Sequence, residues 1–259
     1  YDTKNGENTK LTINAGNYVG NISAVYAFTG KVTINGGHFS IQQKESGSDP
    51  YRLTLNCYDS SYTAGRAGFT VNGGTFENFD PRNNTAEGEG TSFVAEGVGI
   101  NKDENGNFTA NSGMAAQIVD ADGNSVAAYA TLADAIAAAN AGETVKLLAD
   151  VTADVVINKN ITLDLGGKTL TSTLDFNGYS LRTETKVTIK NGTYKGTGTA
   201  RGIGAYADFV LDGVTVDVAG LVGVACSTGG KTYAIKNSVV KAGYAAVSYT
   251  HLTLPTKRI

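Results

Sequence analysis

Tryptophan is absent from this 259-residue chain, methionine occurs once, histidine and cysteine twice each and proline three times. The two cysteines, Cys57 and Cys226, lie in different halves and neither has a nearby Cys or His with which to hold a metal. Each reads as a buried free thiol. No run approaches the ~20 uninterrupted apolar residues that a membrane-spanning helix needs. The net charge is −3, and the basic residues gather only around Lys4/Lys10 and Lys257/Arg258, without stacking aromatics. That distribution gives no electrostatic footprint for nucleic acid.

What the chain has instead is 33 Gly, 13 Tyr and many Thr, Asn, Val and Ala. Thr, Val, Tyr and Ile suit the pleated surface of strands, and Gly and Asn supply turns with positive φ. A short block recurs: LTINAGNY from Leu11, VTINGGHF from Val32, FTVNGGTF from Phe69, VTIKNGTY from Val187, FVLDGVTV from Phe209 and YAIKNSVV from Tyr233. Taking the second apolar residue as anchor, Ile13 to Ile34 is 21 positions, Ile189 to Leu211 is 22 and Leu211 to Ile235 is 24. A period of this size marks a solenoid, in which one repeat cannot bury its apolar face alone.

Within each block the anchors face a core, while Thr12, Thr33, Thr70 and Thr188 point outward. Five positions after each anchor comes Tyr18, Phe39, Phe76, Tyr194, Val216 or Val240, which resumes the core. The constant offset predicts one turn geometry used six times, and stacked coils place Asn14, Asn35 and Asn72 in a hydrogen-bonded ladder.

The segment TLADAIAAANAG from Thr131 predicts one short helix near 132–141, with Thr131 as N-cap, Asp134 three residues on and Gly142 as the stop. Strand patterns resume at Val145, so this helix reads as the plug on the first coil of a second solenoid. Asp120, Asp122 and Asn124 have the look of a calcium loop, but the glycine falls at the fourth position and no Glu closes the twelfth. A hairpin turn is the preferred reading. The segments Ile41–Arg52 and Asn78–Gly99 break the period; the first is an insertion, and the second a long loop or irregular finish to the first solenoid.

The stretch Ala130–Leu170 resembles the opening of right-handed parallel β-helix domains of the pectate-lyase-like superfamily, where a short helix caps the first coil. Gly73–Gly97 is similar to a segment of adhesin-like surface proteins of gut bacteria. The resemblance implies an all-β, right-handed parallel β-helix in two segments: 1–110, the C-terminal part of a first β-helix with its irregular end, and 116–248, a strand-helix cap and the start of a second. Residues 249–259 (YTHLTLPTKRI) resemble translated sequencing-adapter read-through and are expected to be a non-native tail. The chain opens at Tyr1 partway through a repeat and is expected to be a fragment, so a missing signal peptide is uninformative. Low Cys and Met with many Thr, Asn and Gly fit an extracellular or cell-surface location.

Enzymes of that superfamily carry clustered Asp with an Arg or Lys base on an outward face. Asp164 and Asp212 are outward by alternation, with Arg182, Arg201 and Asp208 nearby in sequence, but spacing alone places no carboxylate pair. His38 takes the slot of Asn17, Thr75 and Thr193 as an exposed turn-flank residue, and His251 belongs to the tail, so no catalytic triad is assembled. No catalytic residue, metal ligand or cofactor is assigned. The expected role is a non-catalytic extracellular or cell-surface module for adhesion or glycan binding, toward host or plant glycans or surface proteins. Arg201, Tyr206 and Asp208 are its candidate glycan-binding residues, and Tyr26 is a further exposed-tyrosine candidate. The alternative is a fragment of a polysaccharide lyase or glycoside hydrolase.

Overall fold

The computed structural model describes residues 9–43, 53–173, 179–197, 201–220 and 222–248. The tail 249–259, His251 and most of the insertion after Ile41 lie outside the described residues. The protein is a β-solenoid of about 10 turns, with 50% of its residues in strands and 7% in helices. It divides into two compact units, Tyr1–Met114 with Val126–Ala128, and Ala115–Ser125 with Tyr129–Ile259.

In the first unit Lys10–Ile13, Gly30–Ile34 and Ala67–Val71 stack as parallel strands, in a register that aligns Ile13, Ile34 and Val71 and, beside them, Thr12, Thr33 and Thr70. The anchors are buried, whereas Thr12 and Thr70 are exposed. A second parallel stack, Asn17–Gly20, His38–Ile41 and Gly74–Phe76, lines up Tyr18, Phe39 and Phe76. Their rings lie 5.0 and 5.1 Å apart with interplanar angles of 9° and 13°. Between the stacks the Asn ladder forms: Asn35 Nδ2 donates to Asn14 Oδ1 at 2.8 Å, and Asn72 Nδ2 to Asn35 Oδ1 at 2.9 Å.

The turns explain the glycines. Gly16, Gly37 and Gly74, each three positions after its anchor, have φ of +125°, +119° and +111°, a region costly for other residues. In the second unit the positive φ comes one residue earlier, at Asn191, Gly213 and Asn237. The expected single turn is therefore two turns. At Val214 the reason is steric, since β-branched Val is strongly disfavoured at positive φ; the Asn191 block has Gly192 at the third position without positive φ, where a Cβ would come within 2.5 Å of Leu165 Cβ.

The second unit starts with the strand Ala116–Val119, antiparallel to Thr144–Leu147, and continues into the helix Leu132–Ala138, its Thr131 hydroxyl accepting from Asp134 N at 3.1 Å. The helix ends short of residue 141 because Ala139 is extended and Asn140 N donates to Glu143 Oε2 at 2.7 Å. Lys159 Nζ donates to the carbonyls of Ala137 and Ala139, supplying a cation at the C-terminal end. Leu132, Ala135 and Ile136 bury against Ala116, Ile118 and Val145 in one cluster, as a plug should. A second helix, Asp59–Thr63, is too short and too polar to show helical periodicity in the sequence.

From the plug, Thr144–Leu147, Thr162–Asp164, Val187–Gly196, Phe209–Val218 and Tyr233–Lys236 stack in parallel, aligning Val145, Leu163, Ile189, Leu211 and Ile235. A second sheet stacks Tyr179–Thr183, Arg201–Ala205, Val222–Cys226 and Tyr244–Ser248, aligning Leu181, Ile203, Val224 and Ala246.

If the helix is a plug, Ile136→Asp, which buries a charge, should destabilise the second unit by about 3–5 kcal/mol. Thr188→Ala on the outer column should cost about 0.5 kcal/mol. Thermal melts of the two variants check this, and equal shifts would remove the plug assignment.

Candidate functional site

The sequence candidates in the second unit fall into two places. Tyr179 packs its ring over Gly204, where a Cβ would come within 2.6 Å of a ring carbon. The Arg201 guanidinium sits 5.6 Å from the Tyr179 ring centroid and its Nη1 donates to Tyr179 Oη at 3.2 Å. Tyr206 meets Tyr179 edge-on at 5.9 Å, and the Arg182 guanidinium lies 4.3 Å over the Tyr206 ring. Each tyrosine thus has a cation of its own unit on its ring. Burial, with Tyr179 next, pushes the Tyr206 phenol above its usual range. Asp208 is not part of this cluster: it is exposed and accepts from Thr232 N at 2.9 Å.

Asp164 and Asp212 stand in a column. The register aligns Lys146, Asp164, Lys190, Asp212 and Lys236, so charge alternates over five rungs. A shorter column, Lys195, Asp217 and Lys241, does the same. Strands ~4.8 Å apart make like charges in one column unfavourable and opposite charges helpful. Lys190 Nζ reaches Asp164 Oδ2 at 3.4 Å, and Asn237 Nδ2 donates to Asp212 Oδ1 at 2.9 Å. These carboxylates have ladder partners rather than each other.

A groove of about 610 Å³ lies in the first unit and was not visible as a site in the sequence. Val25–Ala27 pairs in parallel with Leu55–Cys57. Alternation turns Ala27, Leu55 and Cys57 into the core and sets Tyr26 and Asn56 on the groove side, Tyr26 exposed but Asn56 buried at its floor. Tyr26 is 50% exposed and Tyr58 41%. Phe28 stacks on Tyr58 at 4.5 Å and 9°, fixing its ring plane. Asn21, Ile22 and Ser23 form one wall, and Asp59, at the start of the short helix, is the one charged residue among the described residues of the lining. Burial first, then the Asp59 carboxylate, raises the Tyr26 phenol above its usual range, so it remains a donor.

The strand under this groove is closed by side chains. Asn84, fully buried, donates from Nδ2 to Leu55 O at 2.7 Å, and Glu87 Oε1 accepts from Cys57 N at 2.7 Å. An amide and a carboxylate here do what the next strand's backbone would do. Burial pushes the Glu87 carboxyl up, and burial with the adjacent Glu87 pushes the Cys57 thiol up to about 12. Cys57 is therefore an unreactive buried thiol. Cys226, read from the sequence as buried, is only half-buried, and burial also raises its thiol.

His38 holds the expected slot between Asn17 and Thr75, yet its Nε2 meets Glu77 Oε1 at 2.6 Å. Asp120 accepts from Asp122 N at 3.0 Å and Asn124 N at 2.8 Å, a side-chain-closed turn repeated at Asp103 with Asn105 and Asn107. Hydrogen bonds from Asn124 and Asn107 hold these two carboxyls below their usual range. Among the described residues no group of three or more His, Cys, Asp or Glu is placed to hold a metal ion, and no helix is long and apolar enough to cross a membrane. Comparison with protein-family models, curated proteins and solved structures finds no match.

Glu87→Ala, which strips Cys57 N of its acceptor, should cost about 1–3 kcal/mol. Glu87→Gln keeps an acceptor without the charge. A carboxyl raised on folding contributes stability below its unfolded value of 4.5, and that contribution is lost as pH rises through the folded value. The melting temperature of the parent relative to Glu87→Gln should therefore fall as pH rises from 4.5. A flat difference in paired melts would show that burial of Glu87 carries no such penalty.

Proposed function

We propose that this chain is a non-catalytic module of an extracellular or cell-surface protein, adhesin-like in character, that binds glycan in the groove of its first unit. The observation that carries the reading is the pair of half-exposed tyrosine rings, Tyr26 and Tyr58, lining one concavity with Asn21, Asn56 and Asp59. Rigid aromatic faces offer apolar area to the C–H faces of a sugar ring, while amide and carboxylate groups accept and donate to its hydroxyls. Tyr206 is only part-exposed, with Arg182 on its ring and Tyr179 at its edge, whereas Tyr58 carries Phe28 on one face and remains 41% exposed. The site residues of this reading are thus Tyr26 and Tyr58 ahead of Arg201, Tyr206 and Asp208. The resemblance of Ala130–Leu170 to pectate-lyase-like β-helices and of Gly73–Gly97 to bacterial surface proteins supports an extracellular setting. Host or plant glycans are the ligand class this chemistry fits. The enzyme alternative is the weaker one, since Asp164, Asp208 and Asp212 are each engaged in the stacking ladder or its turns.

The test is a glycan array over host and plant structures. Tyr26→Ala and Tyr58→Ala should each weaken binding about tenfold or more, equivalent to about 1.4 kcal/mol, while Tyr206→Ala should leave it unchanged. A blank array for the parent protein would end the reading. Loss in Tyr206→Ala with retention in Tyr26→Ala would move the site to the second unit.

A further inference from the structure

The described lining of the first-unit groove holds charge of one sign. Asp59 is an exposed carboxylate there, and among the described residues it makes no ion pair and no side-chain hydrogen bond. Other carboxylates of the unit are engaged: Glu77 meets His38, Asp80 holds Arg82 and Asp103 closes its own turn. A second acid lies behind the groove floor, where Glu87 Oε1 accepts from Cys57 N. Its Oε2 is buried with no hydrogen-bond partner among the described residues. Burial first, then Asp59, Tyr58, Cys57 and Glu87, all of them acids, raise the Tyr26 phenol. Lys31, whose charge acts on Cys57, does not line the groove and donates its ammonium to Ala67 O at 2.9 Å.

The rings beside this carboxylate share its preference, because the face of an aromatic ring is negative and attracts a cation. The second unit shows such an arrangement filled from within: Arg182 lies over the Tyr206 ring and Arg201 near that of Tyr179. Tyr26 and Tyr58 have no cation of the described residues on their rings. Phe28 covers one face of Tyr58, so a ligand meets the other. An exposed ion pair alone is weak, and Asp59 by itself would select little. Two aromatic faces and a carboxylate in one concavity act on the same ligand charge. An acidic sugar is repelled by all three. A neutral sugar stacks on the rings but leaves Asp59 without a counter-charge.

We infer that the groove selects a cationic glycan, one presenting a free, protonated amine to the Tyr26 and Tyr58 rings with Asp59 as its counter-ion. The inference rests on the glycan reading of the same groove and narrows it to amino sugars that are not acylated.

The probes are three oligosaccharides of equal length, built from glucosamine, N-acetylglucosamine and galacturonate, titrated calorimetrically into the full chain in mildly acidic buffer that keeps the amine protonated. The glucosamine oligomer should bind about tenfold or more tightly than the N-acetylated one, and the galacturonate oligomer most weakly. Asp59→Asn should abolish that preference and leave binding of the N-acetylated oligomer unchanged, while Asp59→Glu should restore it. Glu104→Gln, which removes the same charge from an exposed turn of the unit, should leave the preference intact. Equal binding of the first two oligomers, a preference that survives Asp59→Asn, or one lost equally in Glu104→Gln would overturn the inference. Tighter binding of the N-acetylated or galacturonate oligomer that is lost in Tyr58→Ala would overturn it while the glycan reading stands. Failure of all three oligomers would overturn it too, and the glycan reading falls with it only if the array is also blank.

Discussion

Every rung of this protein depends on the backbone hydrogen bonds it makes with the rungs on either side. A strand of four or five residues such as Lys10–Ile13 or Thr144–Leu147 has no internal partners for its N–H and C=O groups, and those groups are costly to bury unpaired. The parallel ladder supplies them and, in doing so, forces side chains of successive rungs into columns. Column chemistry then follows from what each residue type tolerates above and below itself. Isoleucine, valine and phenylalanine stack with their own kind and form the core. Asparagine also repeats, because its amide both donates and accepts, as Asn14, Asn35 and Asn72 do. Aspartate only accepts and lysine only donates, and like charges repel at strand spacing, so the two alternate.

The same dependence makes the ends of a stack its weak points, and the described chain uses several devices there. Phe93 and Ala95 exchange backbone hydrogen bonds with Val71, giving the first core column a further contact from an irregular segment. The hairpin Gly99–Lys102 and Phe108–Asn111 ends the neighbouring sheet by turning antiparallel against Gly74–Phe76. Asn84 and Glu87 finish the Leu55–Cys57 strand with side chains. The helix Leu132–Ala138 covers the head of the second unit. An irregular, acidic and Gly-rich sequence such as Asn78–Gly99 is thus a set of terminators whose individual parts have no period in common.

That difference explains what the sequence discloses. The recurring anchors, the outward threonines, the Asn ladder and the helix plug all rest on short-range patterns, and each is where the pattern puts it. The second turn geometry is legible only at Val214, which excludes the first; Gly192 stands at the same third position as Gly16, Gly37 and Gly74 and yet does not take positive φ, so a glycine there does not tell the two turns apart. The caps by Asn84 and Glu87 join residues 29 and 30 positions apart, and the groove joins Asn21–Ser23 to Asn56–Asp59. No local pattern connects such residues. Arg182 and Tyr179, which occupy the rings and cations of the second-unit cluster, are likewise brought to Tyr206 only by strand stacking.

Regular stacking also decides where binding chemistry can lie. An outward side chain within a repeating block has neighbours above and below at strand spacing, so its donors, acceptors and charges tend to be spent within the column, as those of Asp164, Lys190 and Asp212 are. Outward groups with free faces collect where the block is interrupted. Tyr26 sits on a three-residue strand outside the six blocks, and Tyr58 and Asp59 open a helix that no other rung repeats. Their rings and carboxylate face the groove instead of a copy of themselves. The irregular positions of a solenoid are accordingly the ones whose outward groups are not spent in a column, and in this chain two exposed tyrosines among them, Tyr26 and Tyr58, line one concavity.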